Sequence, residues 1–223
     1  MTDSEFLAIE QGALDHNDAR AAVLRSRFER SGTIVINLVS SPGTGKTAFL
    51  ERTLTVLAER GVRAAALVGD LATDNDAARL ARAGLPVRQI ETGDICHLEA
   101  YMVERHLAEW DLDDIDLLFI ENVGNLVCPA GFDLGETERV VLLSVTEGED
   151  KPLKYPTMFS TAHLVVITKI DIADAVEFDR ESAFAAISDV SPGVPVIETS
   201  AKTGAGMGVW LAHLDSIVTT QGT

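Results

Sequence analysis

Short apolar runs alternate with amphipathic stretches along most of this chain. Residues 33–39 (TIVINLV) are apolar and β-branched, which reads as a buried strand, and residues 46–60 follow at helical spacing up to Gly61. The alternation continues with expected strands at 62–68, 86–90, 115–121, 138–145, 163–168 and 194–199. Between and after them lie expected helices at 74–83, 97–110, 152–161, 176–189 and 206–219. Strands that are apolar throughout, rather than at every second position, are covered on both faces. The pattern therefore predicts an α/β fold with a mostly parallel sheet and helices on both sides. Ahead of the first strand, Phe6, Ile9, Leu14, Ala21, Leu24 and Phe28 recur at helical spacing among charges, which predicts one or two surface helices. The expected division is a helical extension over 1–32 and one domain over 33–223, without repeats or linkers.

Composition narrows the function classes. Lys and Arg number 18 against 35 Asp and Glu, a formal charge of −17 over 223 residues. A nucleic-acid backbone or an anionic membrane surface calls for a basic face, so neither is expected as a partner. The apolar runs are strand-length, well short of the roughly 18 residues of a membrane span. The segment MTDSEFLAIEQ lacks the basic start and apolar run of a secretory signal, which leaves a cytoplasmic location as the expectation. Two cysteines do not make a disulfide framework.

The loop after the first strand carries the first chemistry. Ser40–Thr47 reads SSPGTGKT. Glycines let backbone N–H groups turn inward on a phosphate, and the next helix presents its positive end to the same anion. Lys46 adds a charge for the β- and γ-phosphates, and the Thr47 hydroxyl suits Mg²⁺. Ser40 stands where the full phosphate-loop pattern has glycine; a tight turn that happens to hold a lysine is the competing reading. Strand–loop–helix context favours a P-loop NTPase, with Pro42, Gly43, Thr44, Gly45, Lys46, Thr47 and Ala48 as nucleotide contacts. Ligands of open α/β sheets sit at the carboxyl ends of strands. Strand 62–68 leads to Asp70, a second candidate for Mg²⁺, with Asp74 and Asp76 beyond; Asp74 suits helix capping equally well. Lys46, Asp70 and Asp76 are the catalytic candidates, an aspartate orienting the attacking water. Strand 115–121 ends in Glu121-Asn122-Val123-Gly124, placing Glu121 and Gly124 near the γ-phosphate.

Two later segments point to guanine. Thr168-Lys169-Ile170-Asp171 follows a strand, and a carboxylate at Asp171 accepts both the N1–H and the N2 amino group of guanine, a donor pair adenine lacks. The Lys169 stem packs along a base, and the Thr168 hydroxyl replaces part of the bracing of the usual Asn. Ser200-Ala201-Lys202, after another strand, offers backbone to the guanine oxygen. A surface turn of paired charges is the competing reading. Cys96, His97 and Cys128 form a set of thiolate and imidazole groups suited to Zn²⁺ or Ni²⁺. Cys96 is expected to open a helix, with a lowered thiol pKa. Buried structural cysteines are the competing reading on spacing alone. Three donors leave one position for solvent or for a symmetry-related chain.

Taken together, SSPGTGKT, TGDICHLEA, ENVGNLVCP and EGEDKPLKYP resemble the HypB family of nickel-inserting GTPases, over nearly the whole chain from Thr33 to Val218. The resemblance implies GTP/GDP and Mg²⁺ at the phosphate loop, and nickel or zinc on Cys96, His97 and Cys128 at a dimer interface. It also implies GTP-dependent homodimerisation and delivery of nickel to a [NiFe]-hydrogenase large subunit with a nickel-chaperone partner. Lys151 and Lys154, in KPLK, are candidates for reaching nucleotide across such a dimer, or for a solvated turn. The Cys-x-x-Cys-Gly-Cys motif and the histidine-rich stretch of some members are not found in the first 30 residues, whose single histidine is His16. That leaves the GTPase-domain site as the expected metal site. Thr168 for Asn and Glu99 for the more usual Asp are further departures. A urease-type nickel GTPase is disfavoured because Cys128-Pro129 is followed by Ala130, not His. A non-catalytic nickel or zinc store would bind metal without nucleotide turnover, and an ATP-dependent kinase is disfavoured by the two guanine segments.

Overall fold

The computed structural model describes residues 3–70, 75–93 and 95–221. In chain order the strands are β1 (Ile34–Ser40), β2 (Ala64–Asp70), β3 (Val87–Glu91), β4 (Leu117–Glu121), β5 (Glu138–Ser144), β6 (Leu164–Thr168) and β7 (Val196–Glu198). The helices are α1 (Asp3–Ser31), α2 (Lys46–Glu59), α3 (Asn75–Leu80), α4 (Ala100–His106), α5 (Lys151–Lys154), α6 (Pro156–Ser160), α7 (Arg180–Val190) and α8 (Met207–Gln221). The seven strands form one sheet in the order β3-β2-β4-β1-β5-β6-β7. Every pairing is parallel, as the continuous apolar runs predict. Central β1 sits between β4 and β5, with Leu38 level with Glu121 and with Val140. The sheet order brings the carboxyl end of β4 beside the loop that leaves β1.

The two faces of β1 explain its sequence. Ile34, Ile36 and Leu38 pack with Phe49, Leu50 and Leu54 of α2 and with Trp210 and Leu214 of α8. Val35 faces the other way, into a cluster with Ala21, Leu24 and Phe28 of α1 and Val103 of α4. Val39 joins a third cluster with Met158, Phe159 and Ile187. Trp210 is fully buried, and its indole N–H donates to Thr53 Oγ1 at 3.0 Å. The segment before β1 is a single helix rather than two. It is tied to the sheet domain by buried Asn17, which accepts from Ala100 N and donates to Asp133 O, both at 2.8 Å.

Three expected helices differ in ways with a clear local reason. The helix expected over 97–110 spans only Ala100–His106, because Glu99 is extended (φ −114°, ψ 155°) and Leu98 turns inward against Gly69. Cys96 therefore lies in a loop, not at a helix start. The helix expected over 152–161 breaks at Tyr155, since Pro156 forces the preceding residue off helical geometry (ψ 54°). The helix expected over 176–189 starts at Arg180, where Asp179 caps it by accepting from Ser182 N at 3.1 Å. Asp74, the candidate cap of α3, lies outside the described residues. Among the described residues no helix is long and apolar enough to cross a membrane.

Gly206 supplies a stability test at the entry to α8. Its φ is +70°, and a Cβ there would sit 1.8 Å from the carbonyl oxygen of Glu198. Gly206→Ala should cost about 3 kcal/mol or more, seen as a lower urea midpoint. An unchanged midpoint would contradict this packing.

Candidate functional site

The loop between β1 and α2 reverses direction with Gly43 at φ 77° and Gly45 at φ 100°, conformations that glycine adopts without strain. The Lys46 ammonium donates to Ser40 Oγ at 3.2 Å, and that hydroxyl donates to Ser41 O at 2.8 Å. Ser40 thus seats the lysine. Thr44 Oγ1 lies 2.9 Å from Ser41 O and 2.7 Å from Glu147 Oε1. The loop lines a cavity of about 400 Å³ with Gly69, Asp70, Asp76, Arg79 and Glu121–Gly124. Lys46, Thr47, Asp70 and Asp76, expected together from sequence, do converge here.

The electrostatics of this cavity are unusual. Lys46 and Glu121 are both buried. Burial drives the lysine pKa down, opposed by Glu121, Asp76, Glu147 and Asp70. Burial drives the Glu121 carboxyl up, opposed by the Lys46 charge and the Thr47 hydroxyl, which donates to Glu121 Oε1 at 2.7 Å. Glu121 Oε2 is buried with no hydrogen-bond partner. A buried acid with a spare oxygen beside a threonine hydroxyl fits a hard divalent cation such as Mg²⁺, and a buried lysine beside inward N–H groups fits a phosphate. The Thr47 hydroxyl meets the Glu121 carboxylate, and Asp70 lines the same cavity. Gly124 lies under the loop, where a Cβ would come 3.1 Å from Pro42 Cα. Sequence reasoning passed over Arg79, which is paired with Glu51 at 2.6 Å on the cavity rim, and Glu147. Arg79 sits in no recognisable motif, and Glu147 opens the EGEDKPLKYP segment, whose sequence gives no sign that it reaches Thr44; both come to the site through the fold.

A second cavity of about 280 Å³ shares Thr44, Gly45 and Ala48 with the first. Thr168, Lys169, Asp171, Ala201 and Lys202 line it. Thr168 Oγ1 donates to Thr44 O at 2.7 Å and so braces this segment against the phosphate loop. Lys169 is left-handed (φ 61°), and its ammonium donates to Gly43 O at 2.6 Å while its stem crosses Gly45. Ser200 does not line the cavity. Its hydroxyl donates to Asp171 Oδ1 at 2.7 Å and fixes the carboxylate.

Beside the phosphate cavity, the donor atoms of Cys96, His97 and Cys128 all lie within 4.8 Å of one another. Among the described residues this is the group of Cys, His and acidic side chains that could hold a metal ion. Such donors hold a zinc ion at roughly 2.0–2.3 Å, and three donors this close could converge on one ion through small side-chain shifts. The His97 ring lies on Phe132, centroids 3.9 Å apart. Its Nε2 is buried without a hydrogen bond, 3.6 Å from Glu99 Oε1. Burial lowers the His97 pKa, which favours the neutral ring a metal needs, against the pull of Glu99. The expectation of an acidified Cys96 does not hold: its pKa is raised, first by hydrogen bonding to Cys128 and then by desolvation. With α4 starting at Ala100, Cys96 does not stand at its N-terminus.

The metal cluster adjoins the phosphate cavity through two contacts. Asn122 Oδ1 accepts from Leu98 N at 3.2 Å and from Val123 N at 3.0 Å. Leu98 fills the space left by Gly69, where a Cβ would meet its side chain at 2.8 Å. Asn122 and Gly69 both line the phosphate cavity. Lys151 and Lys154 lie elsewhere: Lys154 pairs with Asp150 at 2.7 Å, and Lys151 sits 5.1 Å from the Tyr155 ring centroid.

Residues 34–198 match the family described as CobW/HypB/UreG, nucleotide-binding domain. The chain is 52% identical over 217 residues to hydrogenase maturation factor HypB of Azotobacter vinelandii, covering 96% of this chain and 71% of that protein. The crystal structure of HypB from Archaeoglobus fulgidus superposes with a TM-score of 0.85 at 40% identity, covering 92% of this chain and 99% of that one. HypB from Helicobacter pylori, in complex with nickel, gives the same score and identity over 92% and 96%. A signal recognition particle 54 kDa protein from Aeropyrum pernix, in complex with GDP, shares the fold alone, at 16% identity and a TM-score of 0.58. The P-loop α/β fold inferred from the sequence is the observed one.

Glu121 offers the sharpest test of this geometry. Glu121→Gln should weaken Mg²⁺-dependent nucleotide binding about 10-fold or more, because the carboxylate beside Thr47 is the oxygen donor the cation would use. Nucleotide affinity that still responds fully to Mg²⁺ would rule out this role.

Proposed function

The chain belongs to the HypB hydrogenase maturation factors of the CobW/HypB/UreG family, and from that premise we propose that it is a GTP-hydrolysing metallochaperone that carries nickel for [NiFe]-hydrogenase. The observation that carries this reading is the adjacency of two sites. A soft-donor cluster at Cys96, His97 and Cys128 is joined, through Leu98 next to His97, to Asn122 and Gly69 of the cavity that suits nucleotide phosphates.

In this reading the loop amides and Lys46 hold the β- and γ-phosphates, and Thr47 and Glu121 hold Mg²⁺, with Asp70 close by. The cation supplies charge neutralisation for the transferring phosphoryl group. Asp70 or Asp76 orients the attacking water. The Asp171 carboxylate, fixed by Ser200, accepts the two guanine donors, and Thr168 holds the base segment in register with the phosphate loop. Ala201 and Lys202 close the base cavity. Loss of the γ-phosphate relaxes the segment around 121–124, and Leu98 and Asn122 pass that movement to the ligand loop. Nickel is the cargo, and zinc fits the same donors. A second copy of the chain, ordered by GTP, supplies the missing coordination. The partners are a nickel chaperone and the hydrogenase large subunit, in the cytoplasm.

Two outcomes test this. Cys96→Ala and Cys128→Ala should each lower bound nickel by at least about 10-fold in affinity, and Lys46→Ala should abolish GTP turnover. Full nickel stoichiometry in both cysteine variants would exclude the metal site. Turnover that survives Lys46→Ala, or no turnover at all in the unaltered protein, would exclude the enzyme.

A further inference from the structure

A buried polar chain, which the GTPase mechanism leaves unused beyond its first residue, joins the two segments that bear the metal ligands. Leu98 N, one residue past His97, donates to Asn122 Oδ1 at 3.2 Å. Asn122 Nδ2 donates to Asn37 Oδ1 at 3.4 Å, and Asn37 Nδ2 donates to Glu136 Oε1 at 3.1 Å. Arg139 grips the same carboxylate through Nε at 2.9 Å. Its Nη1 donates to Ala130 O at 3.1 Å and its Nη2 to Phe132 O at 3.0 Å. Those carbonyls belong to the loop that begins at Cys128, and Phe132 is the ring on which His97 lies. The four side chains are almost fully buried, at 0–8% exposure.

The polarity of this chain is fixed at both ends. A carboxylate only accepts, so Asn37 presents its NH₂ to Glu136 and its oxygen to Asn122. Asn122 must then present its own NH₂ to Asn37, leaving its oxygen for two backbone donors, Leu98 N and Val123 N. Flipping either amide breaks a bond at both of its ends. The Asn37–Asn122 contact is the longest in the chain and its weakest joint. On one side of it stands a rigid unit, Glu136 and Arg139 with the Cys128 loop. On the other stands Asn122, which follows Glu121 and lines the phosphate cavity.

We propose that Asn37 and Asn122 form a positioning pair for the metal site, setting the separation of Cys96 and His97 from Cys128 according to the nucleotide bound. The inference rests on the GTP-linked metallochaperone reading and names the joint through which that link runs. Asn37 touches neither cavity, so its effect on metal must pass through Asn122.

The test compares nickel affinity in the presence of GDP and of a non-hydrolysable GTP analogue, with the thiolate-to-nickel absorption band as a second readout. In the unaltered protein the two affinities should differ about 5-fold or more, in the range of ordinary allosteric coupling. Asn37→Leu, close in volume but without the amide, should bring them to within about 2-fold and make the band the same in both states. A ratio and band left intact by Asn37→Leu would overturn the inference alone. A ratio of one in the unaltered protein would overturn the underlying switch reading. If Asn37→Leu does not fold, Arg139→Lys serves. It keeps a charge beside Glu136 but gives up one of the two carbonyls, so it should weaken nickel in both nucleotide states and shift the band. An unchanged band and affinity would overturn the inference.

Discussion

Two opposite charges, Glu121 at the end of β4 and Lys46 at the start of α2 beyond neighbouring β1, are buried together, and the rest of the site is arranged around them. Each is driven toward its neutral form by burial, and each is held by a hydroxyl, Ser40 for the lysine and Thr47 for the acid. Such a pair is weak evidence of stabilisation, because desolvation offsets the attraction. Its sense lies in what the two groups accept together: an anion for the ammonium and a cation for the free carboxylate oxygen. The sheet order β2-β4-β1 is what makes the pairing possible. Leu38 and Glu121 lie in register, so the last residue of β4 reaches the loop that leaves β1.

The same strand end serves the second site. Asn122, next to Glu121, accepts from Leu98 N and so holds the loop of Cys96 and His97. Few residues separate the nucleotide from the metal donors, and those few are packed without spare volume: Leu98 occupies the place of a Gly69 side chain, and Gly124 lies against Pro42. A movement of β4's end therefore has little room to be absorbed before it reaches the thiols. Short, tightly packed paths of this kind favour two discrete arrangements over gradual deformation.

Much of the fold and part of the site are legible in the sequence. The apolar runs locate all seven strands, because the inner strands, covered on both faces, carry few polar positions to blur them. The glycine loop, Asp171 and the Ser200 segment are local motifs, and local motifs survive reading in one dimension. What is not legible depends on distant partners. Nothing near Ser40 says that its hydroxyl will seat Lys46, and Asn37 reads as one polar residue in an apolar strand until Glu136 and Asn122 arrive on either side. Periodicity misplaces the start of α4 because the inward turn of Leu98 is a tertiary demand that overrides it. The break at Tyr155 is readable, since the following Pro156 announces it. The acidity expected of Cys96 fails with the helix start on which it rests.

The central claim is that hydrolysis at the phosphate loop governs the hold of Cys96, His97 and Cys128 on nickel. The most direct measurement follows both events in one single-turnover reaction. Protein loaded with nickel and GTP is monitored for phosphate release and for the thiolate-to-nickel absorption band at the same time. The band should change in step with phosphate release, and GDP-loaded protein should start from the altered band. A band that stays constant through complete hydrolysis would contradict the account.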